Sequence, residues 1–142
     1  ARGFHRRIQL ITNDQIEAYL IETELPFEQV KEGFWIIHDD TDDIDNIVVV
    51  HTHPVITFRV KLMEVSEATR SELFEHLLRL NATSMIAGAY GLEDDAIVIV
   101  DSLQSENLDY NEFSASIDAI VFAVREHFEE LRGFLPAAKE VS

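Results

Sequence analysis

Apolar and polar residues repeat with two different periods along this chain, and the changes of period predict where its helices lie. Apolar side chains that recur every three or four residues form one face of a helix. The third helical segment has the longest such stripe, formed by Phe113, Ile117, Ile120, Val124, Phe128, Leu131 and Leu135. The helical period predicts three helices, at residues 12–24, 66–80 and 109–133.

The other period, strict alternation, predicts strands between the helices. Residues 56–65 alternate most regularly, with mostly apolar even positions and with Arg59 and Lys61 on the solvent-exposed face. Residues 27–32 fit either a short strand or an extended connection. The remaining predicted strands are residues 34–38, 47–53, 84–92 and 96–100.

The order of these elements predicts a single α+β domain of order αβββαββα. Consecutive strands are joined by short turns, which favours an antiparallel sheet. We expect the helices to pack on one face of that sheet and leave the other uncovered. The domain is expected to span residues 8–135, with residues 1–7 and 136–142 as tails.

Several polar residues mark the expected ends of the helices. Thr12 with Gln15, and Asp109 with Glu112, have the spacing of a capping box, in which each residue satisfies a free backbone N–H of the other. Ser66 is expected to cap the second helix. Two further features follow that helix: Asn81 suits a left-handed position after it, and the glycines at 88 and 91 indicate a bulge or a close backbone approach.

Charge and composition narrow the possible partners. The chain has 142 residues, 46% of them hydrophobic, and its net charge is −16. Such a surface repels phosphate backbones and anionic lipid, so neither nucleic acid nor membrane is an expected partner. The absence of cysteine excludes disulfides and thiolate zinc sites and fits a cytoplasmic location. We expect neither a signal peptide nor a membrane span.

The sequence contains no recognisable catalytic motif. It has no G-x-S-x-G elbow and no glycine-rich phosphate loop. His51 and His53 would share one face of a strand, but two ligands are fewer than a structural zinc site needs. The acidic loop at residues 39–46 lacks the glycine and glutamate of a calcium loop. We therefore expect no enzyme, no cofactor and no metal, with His51, His53 and this loop as the remaining sensor candidates.

Two sets of apolar residues are candidate interaction surfaces. The sheet could present Trp35, Ile37, Val49, Phe58 and Val60 to a partner protein. Trp35 is either a core residue or an exposed anchor, since tryptophan is enriched at binding hot spots. The second helix has an apolar stripe wider than one core-facing arc needs, which fits either core packing or a homodimer. Its candidate dimer residues are Leu73, Leu77 and Leu80.

The element order and four short segments resemble the type III secretion chaperone-like superfamily, and its YbjN-like branch most. The segments are Leu-Leu-Arg-Leu-Asn at 77–81, Gly-Ala-Tyr-Gly-Leu at 88–92, Asp-Ala-Ile-Val at 95–98 and Glu-Asn-Leu at 106–108. The resemblance implies a non-catalytic, homodimeric protein that holds a segment of a client protein. The alternative is a YbjN-like regulatory or stress-response protein that senses a small ligand or a metal.

Overall fold

The computed structural model describes residues 10–39 and 44–135, which fold as one α+β domain. The predicted fold class is confirmed, and the ambiguous segment at 27–32 is an additional strand. The helices are α1 (Asn13–Thr23), α2 (Arg70–Thr83) and α3 (Tyr110–Arg132). The strands are β1 (Phe27–Lys31), β2 (Phe34–Asp39), β3 (Ile44–Thr52), β4 (Val55–Glu64), β5 (Ala89–Glu93) and β6 (Ala96–Gln104).

The six strands form one sheet of order β1-β2-β3-β4-β6-β5, and every neighbouring pair is antiparallel. Residues paired across neighbouring strands point to the same face of a sheet. The register therefore defines rows of side chains that cross the molecule. One such row contains Phe27, Ile37, Ile47, Val60, Ile99 and Tyr90.

This row and the buried residues of all three helices form one hydrophobic core. The helices contribute Ile16 and Leu20 from α1, Leu73, Leu77 and Leu80 from α2, and Phe113, Ile117 and Ile120 from α3. The helices therefore cover one face of the sheet, but two residues of the apolar stripe predicted for α3, Phe128 and Leu135, remain 45% and 44% exposed. The helices leave the opposite face of the sheet uncovered.

The helix ends test the predicted capping residues. Thr12 and Gln15 form the complete capping box at the start of α1. At α3, the carboxylate of Asp109 accepts the backbone N–H of Glu112 at 2.8 Å. The prediction for Ser66 was wrong, because it precedes a 3-10 turn at Glu67–Thr69 and its side chain makes no capping hydrogen bond.

Asn81 has a different role from the one its sequence position indicates. It lies inside α2, which continues to Thr83, so it is not the left-handed residue after the helix. Its side chain accepts the backbone N–H of Tyr90 at 2.8 Å and donates to the Tyr90 carbonyl at 3.1 Å. Asn81 therefore attaches α2 to the outer edge of β5.

Candidate functional site

The uncovered side of the sheet, here called the open face, has an apolar centre and polar ends. Pairing places its residues in rows that alternate with those of the core. One row runs across all six strands: Glu28, Ile36, Val48, Arg59, Val100 and Ala89. A second contains Lys31, Phe34, Val50, Thr57 and Ser102. A third contains Lys61, Val98 and Gly91.

The open face forms a broad, shallow groove of about 830 Å³. Phe34, Val48 and Val50 are each partly exposed and supply its apolar floor. β-Branched and aromatic side chains favour strands wherever they lie on a sheet, so they need no covering layer to be placed here. The groove is lined by Phe34, Asn46, Val48, Val50, Thr57, Arg59, Lys61, Leu62, Met63, Glu64 and Glu93.

The charged side chains of the open face are arranged in exposed pairs. Arg59 contacts Glu93 at 2.7 Å, and Lys61 contacts Glu64 at 2.7 Å. The hydrogen bond and charge of Glu64 raise the pKa of Lys61. Since all four side chains are about half exposed or more, solvent screens both pairs and each adds little to stability.

A smaller groove of about 200 Å³ lies between α2 and β5. Its lining contains no charged residue: Phe74, Leu77, Leu78, Asn81, Tyr90, Gly91, Leu92 and Ile97. Leu78 is 69% exposed and Leu92 is 47% exposed, which is high for leucine. This apolar strip, here called the α2–β5 patch, is the second candidate surface.

The five sheet residues expected to contact a partner lie in the core instead. Trp35, Ile37, Val49, Phe58 and Val60 are all at most 1% exposed. They share one face of the sheet, and that face is the one the helices cover. Alternation determines which residues lie together but does not identify the covered side. The positions on the open face are their immediate neighbours, such as Phe34, Val48 and Val50.

The three leucines expected at a dimer interface are also buried. Leu73, Leu77 and Leu80 are 0%, 5% and 8% exposed and belong to the core. The apolar stripe of α2 is wide because it serves two surfaces. Its inner part packs against the sheet, while Leu78 and the partly buried Phe74 border the α2–β5 patch.

The two candidate sensor histidines have separate partners. His51 Nδ1 lies 2.7 Å from Asn13 Oδ1, and His53 Nδ1 lies 3.3 Å from Ser105 Oγ. The rings are 6.5 Å apart, and burial followed by the charge of His53 lowers the pKa of His51. Within residues 10–39 and 44–135, no three potential metal ligands converge. Residues 40–43 of the acidic loop lie outside the described residues.

One polar pair in the core was not predicted. The hydroxyl of Tyr90 lies 2.6 Å from Nδ1 of His127, and both residues are buried. Burial, followed by the charge of Glu130, raises the pKa of Tyr90. His127 lies four residues before Leu131, so helical spacing could have placed it on the inner side of α3. Nearby, His76 of α2 pairs with Glu130 at 2.8 Å.

The helices leave no membrane-spanning candidate in the part of the chain that is described, since none is both long and apolar enough.

Comparison with known proteins agrees with this geometry. The profile of the CesT_Tir_1 family matches residues 9–136, nearly the whole chain. The fold is similar to the crystal structure of YbjN, a proposed transcription regulator from E. coli, with a TM-score of 0.65 and 17% identity. That match covers 87% of this chain and 97% of YbjN. No curated protein matches the sequence.

The length of the family match and the shared fold agree with the resemblance carried by the sequence. The chain belongs to the CesT_Tir_1 family, in the type III secretion chaperone-like superfamily, and has the fold of YbjN.

Proposed function

We propose that this protein is a non-catalytic binding module that holds an extended segment of a partner protein on its open face. The observation that carries the proposal is the partly exposed apolar floor at Phe34, Val48 and Val50, in a groove of about 830 Å³. A chaperone-like family fits such a module.

The shape of the groove favours an extended segment over a small molecule. Small-molecule sites are usually enclosed and bury most of their ligand. This groove is open and follows β4 from Thr57 to Glu64, a length that suits a peptide. A peptide lying along β4 would place alternate side chains on the floor, because an extended chain alternates its side chains.

The test replaces the floor without removing the strand. Val48→Thr with Val50→Thr keeps β-branched side chains of nearly the same volume but adds hydroxyls to the groove. We expect this double variant to lose at least about tenfold in affinity for peptides selected by the wild-type protein from a tiled peptide array. Methyl NMR of Val48 and Val50 would report whether the bound peptides touch the floor.

The matched control changes an exposed apolar residue away from the sheet. Ile21 of α1 is 64% exposed, so Ile21→Gln should leave peptide affinity unchanged. Equal binding by the wild-type protein and the double Thr variant would show that partners are held elsewhere. Unchanged valine methyl signals on peptide addition would have the same meaning.

We also propose a homodimer, with the α2–β5 patch as its interface. Phe74, Leu78 and Leu92 supply exposed or partly exposed apolar surface without a charged neighbour in the groove. Asn81 already occupies the outward N–H and C=O of Tyr90. Two copies would therefore join through side chains at this edge, and strand addition at Tyr90 is disfavoured.

The dimer is tested by the mass of the protein in solution. Leu78→Asp should convert a dimer to a monomer in sedimentation experiments, because it places a carboxylate in an apolar contact. Ile21→Asp, at a similarly exposed position on α1, should leave the mass unchanged. A wild-type monomer, or a Leu78→Asp dimer, contradicts this interface.

The alternative is a YbjN-like regulatory or stress-response protein. With a net charge of −16, regulation through a protein partner is favoured over direct contact with DNA. This role would therefore use the same open face. No observation in the described residues favours a metal or small-ligand sensor. A cytoplasmic location remains part of the proposal.

A further inference from the structure

We propose that the segment held on the open face is acidic, with two carboxylates at alternate positions between apolar side chains. This inference rests on the proposed function and names the chemistry of the partner. It is carried by the cations of the groove, which lie on the apolar floor of a strongly acidic protein.

On the open face, cations balance the carboxylates Glu28, Glu64 and Glu93, whereas acids outnumber bases 27 to 11 over the whole chain. The described residues contain seven lysines and arginines, and three of them, Lys31, Arg59 and Lys61, belong to the rows of this face. The other four, on the helices, are Arg70, Arg79, Arg125 and Arg132. The open face is therefore the part of the sheet best able to receive negative charge.

The cations are central, whereas the carboxylates lie at the margins. Arg59 pairs across the sheet with Val48 on one side and Val100 on the other, and Lys61 pairs with Val98. Glu64 and Glu93 are the last residues of β4 and β5. A segment crossing the apolar floor along β4 thus passes over Arg59 and Lys61, and the backbone of each paired glutamate lies towards the end of its strand.

The existing ion pairs can be exchanged for pairs with a partner. The Arg59–Glu93 and Lys61–Glu64 pairs are about half exposed or more, so solvent screens them and each contributes little to stability. A carboxylate of the partner can therefore share or replace Glu93 and Glu64 at small cost. A basic side chain at the same point would face Arg59 and Lys61 and would be repelled.

The spacing of the two cations predicts the spacing of the acids. Arg59 and Lys61 are two residues apart on one strand, so their Cβ atoms are separated by roughly 6.5–7 Å. Two side chains at positions i and i+2 of an extended peptide have the same separation and also share a face. The expected pattern is apolar-x-acidic-x-acidic-x-apolar, with the apolar positions on the floor formed by Val50 on one side and Leu62 on the other.

The net charge of the protein makes the proposal specific. A protein with a net charge of −16 attracts basic peptides over its whole surface, weakly and without selectivity. It repels acidic peptides in general, so an acidic peptide that binds must use a local cationic site. Added salt screens long-range forces beyond about 8 Å at 0.15 M and leaves close contacts less affected.

Three synthetic peptides of identical length test the charge class. Each carries leucines at the two apolar positions, and the two middle positions are Glu, Gln or Lys. Titrations at about 0.15 M and 0.3 M NaCl measure Kd by fluorescence anisotropy. We expect the Glu peptide to bind at least about fivefold more tightly than the Gln peptide, and the Lys peptide to bind most weakly at the higher salt.

Variants connect the preference to the two cations. Arg59→Gln with Lys61→Gln should remove the preference for Glu over Gln, so that the two peptides bind this variant with equal affinity. Arg132→Gln, a control on α3 that removes an exposed cation paired with Glu129, should keep the preference. Circular dichroism melting of each variant confirms that the fold is retained.

The outcomes separate this inference from the proposed function. If the Glu and Gln peptides bind with equal affinity and neither binds the Val48→Thr, Val50→Thr variant, the acidic class is wrong and the groove is supported as the binding site. A Glu preference that survives the double Gln variant also overturns the inference. Binding of the Glu peptide that is insensitive to the double Thr variant overturns the proposed function itself. If none of the three peptides binds although array peptides do, the acidic pattern is wrong.

Discussion

At the scale of single residues, Asn81 explains why the edge of β5 is not free to add another strand. The side chain of Asn81 offers one acceptor and one donor, the same pair that a neighbouring strand would present. Both are used by Tyr90. An exposed sheet edge is a hazard because unpaired backbone groups recruit other chains, and here a helix side chain covers the central pair.

Removing this amide should destabilise the fold measurably. Asn81→Ala leaves the outward N–H and C=O of Tyr90 without protein partners, and an unsatisfied polar group costs about 1–3 kcal/mol where water cannot replace the bond. We expect the urea midpoint to fall and the Tyr90 amide to exchange faster with solvent. Thr83→Ala is the control, since its hydroxyl bonds only local groups, the Arg79 carbonyl and the Ser84 hydroxyl. A shift no larger than that of the control would contradict the role of Asn81.

A second residue-scale prediction concerns His51 and pH. Burial, and then the charge of His53, lowers the pKa of His51 from its usual value of 6.5. The unfolded chain therefore binds the proton more readily, and stability falls as pH drops through 6.5 towards the lower native pKa. Well above pH 6.5, His51 is neutral in both the folded and the unfolded chain, so it does not lower the free energy of unfolding there.

His51→Gln should flatten this part of the stability profile. The measurement is the free energy of unfolding in urea at several pH values between about 5 and 8. His38→Gln, which removes a histidine of the open face, serves as the control for the loss of an imidazole in general. If His51→Gln leaves the slope below pH 6.5 as steep as in the wild-type protein, His51 does not contribute to it.

At the scale of elements, the connection into β5 depends on a glycine that no other residue replaces easily. Gly88 has a φ of +74°, and a Cβ there would lie 2.8 Å from the Val100 carbonyl oxygen. Gly91, inside β5, has no such constraint, since its Cβ would meet only Val98 Cγ2 at 3.8 Å. The expected close backbone approach is thus confirmed at Gly88 and wrong at Gly91.

These two glycines give a matched pair of substitutions. Gly88→Ala should cost about 1–3 kcal/mol, because it adds strain at positive φ to a collision with backbone. Gly91→Ala should be neutral or stabilise slightly, by reducing the entropy of the unfolded chain. Chemical denaturation of both variants measures the difference. Equal effects of the two substitutions would contradict the geometry at Gly88.

Local patterns predicted the three helices, the antiparallel sheet and the wet position of Arg59 and Lys61, because period and capping are properties of neighbouring residues. These patterns left β1 ambiguous, because β1 is an edge strand that pairs only with β2 and all its residues after Phe27 are exposed. They also did not identify the covered face, because both faces of β2 and β3 are apolar and coverage depends on distant helices.

At the scale of the whole molecule, net charge opposes compactness. A charge of −16 produces repulsion between surfaces that folding brings together. The exposed ion pairs, such as Arg59–Glu93, contribute about 0–1 kcal/mol each and act in the opposite direction. Because acids outnumber bases 27 to 11, most carboxylates have no lysine or arginine to pair with. We therefore expect the repulsion among carboxylates to exceed the attraction within the ion pairs.

Salt should therefore stabilise this protein. Raising NaCl from about 0.01 M to 1 M shortens the screening distance from about 30 Å to 3 Å, which weakens repulsion among the unpaired carboxylates more than it weakens close pairs. We expect the melting temperature to rise by about 3 °C or more, the equivalent of about 1 kcal/mol for a chain of this size. Calorimetry in NaCl and in KCl checks that the effect is one of ionic strength. A melting temperature that falls with salt would mean that the close ion pairs, including those of the open face, contribute more to stability than the excess charge removes.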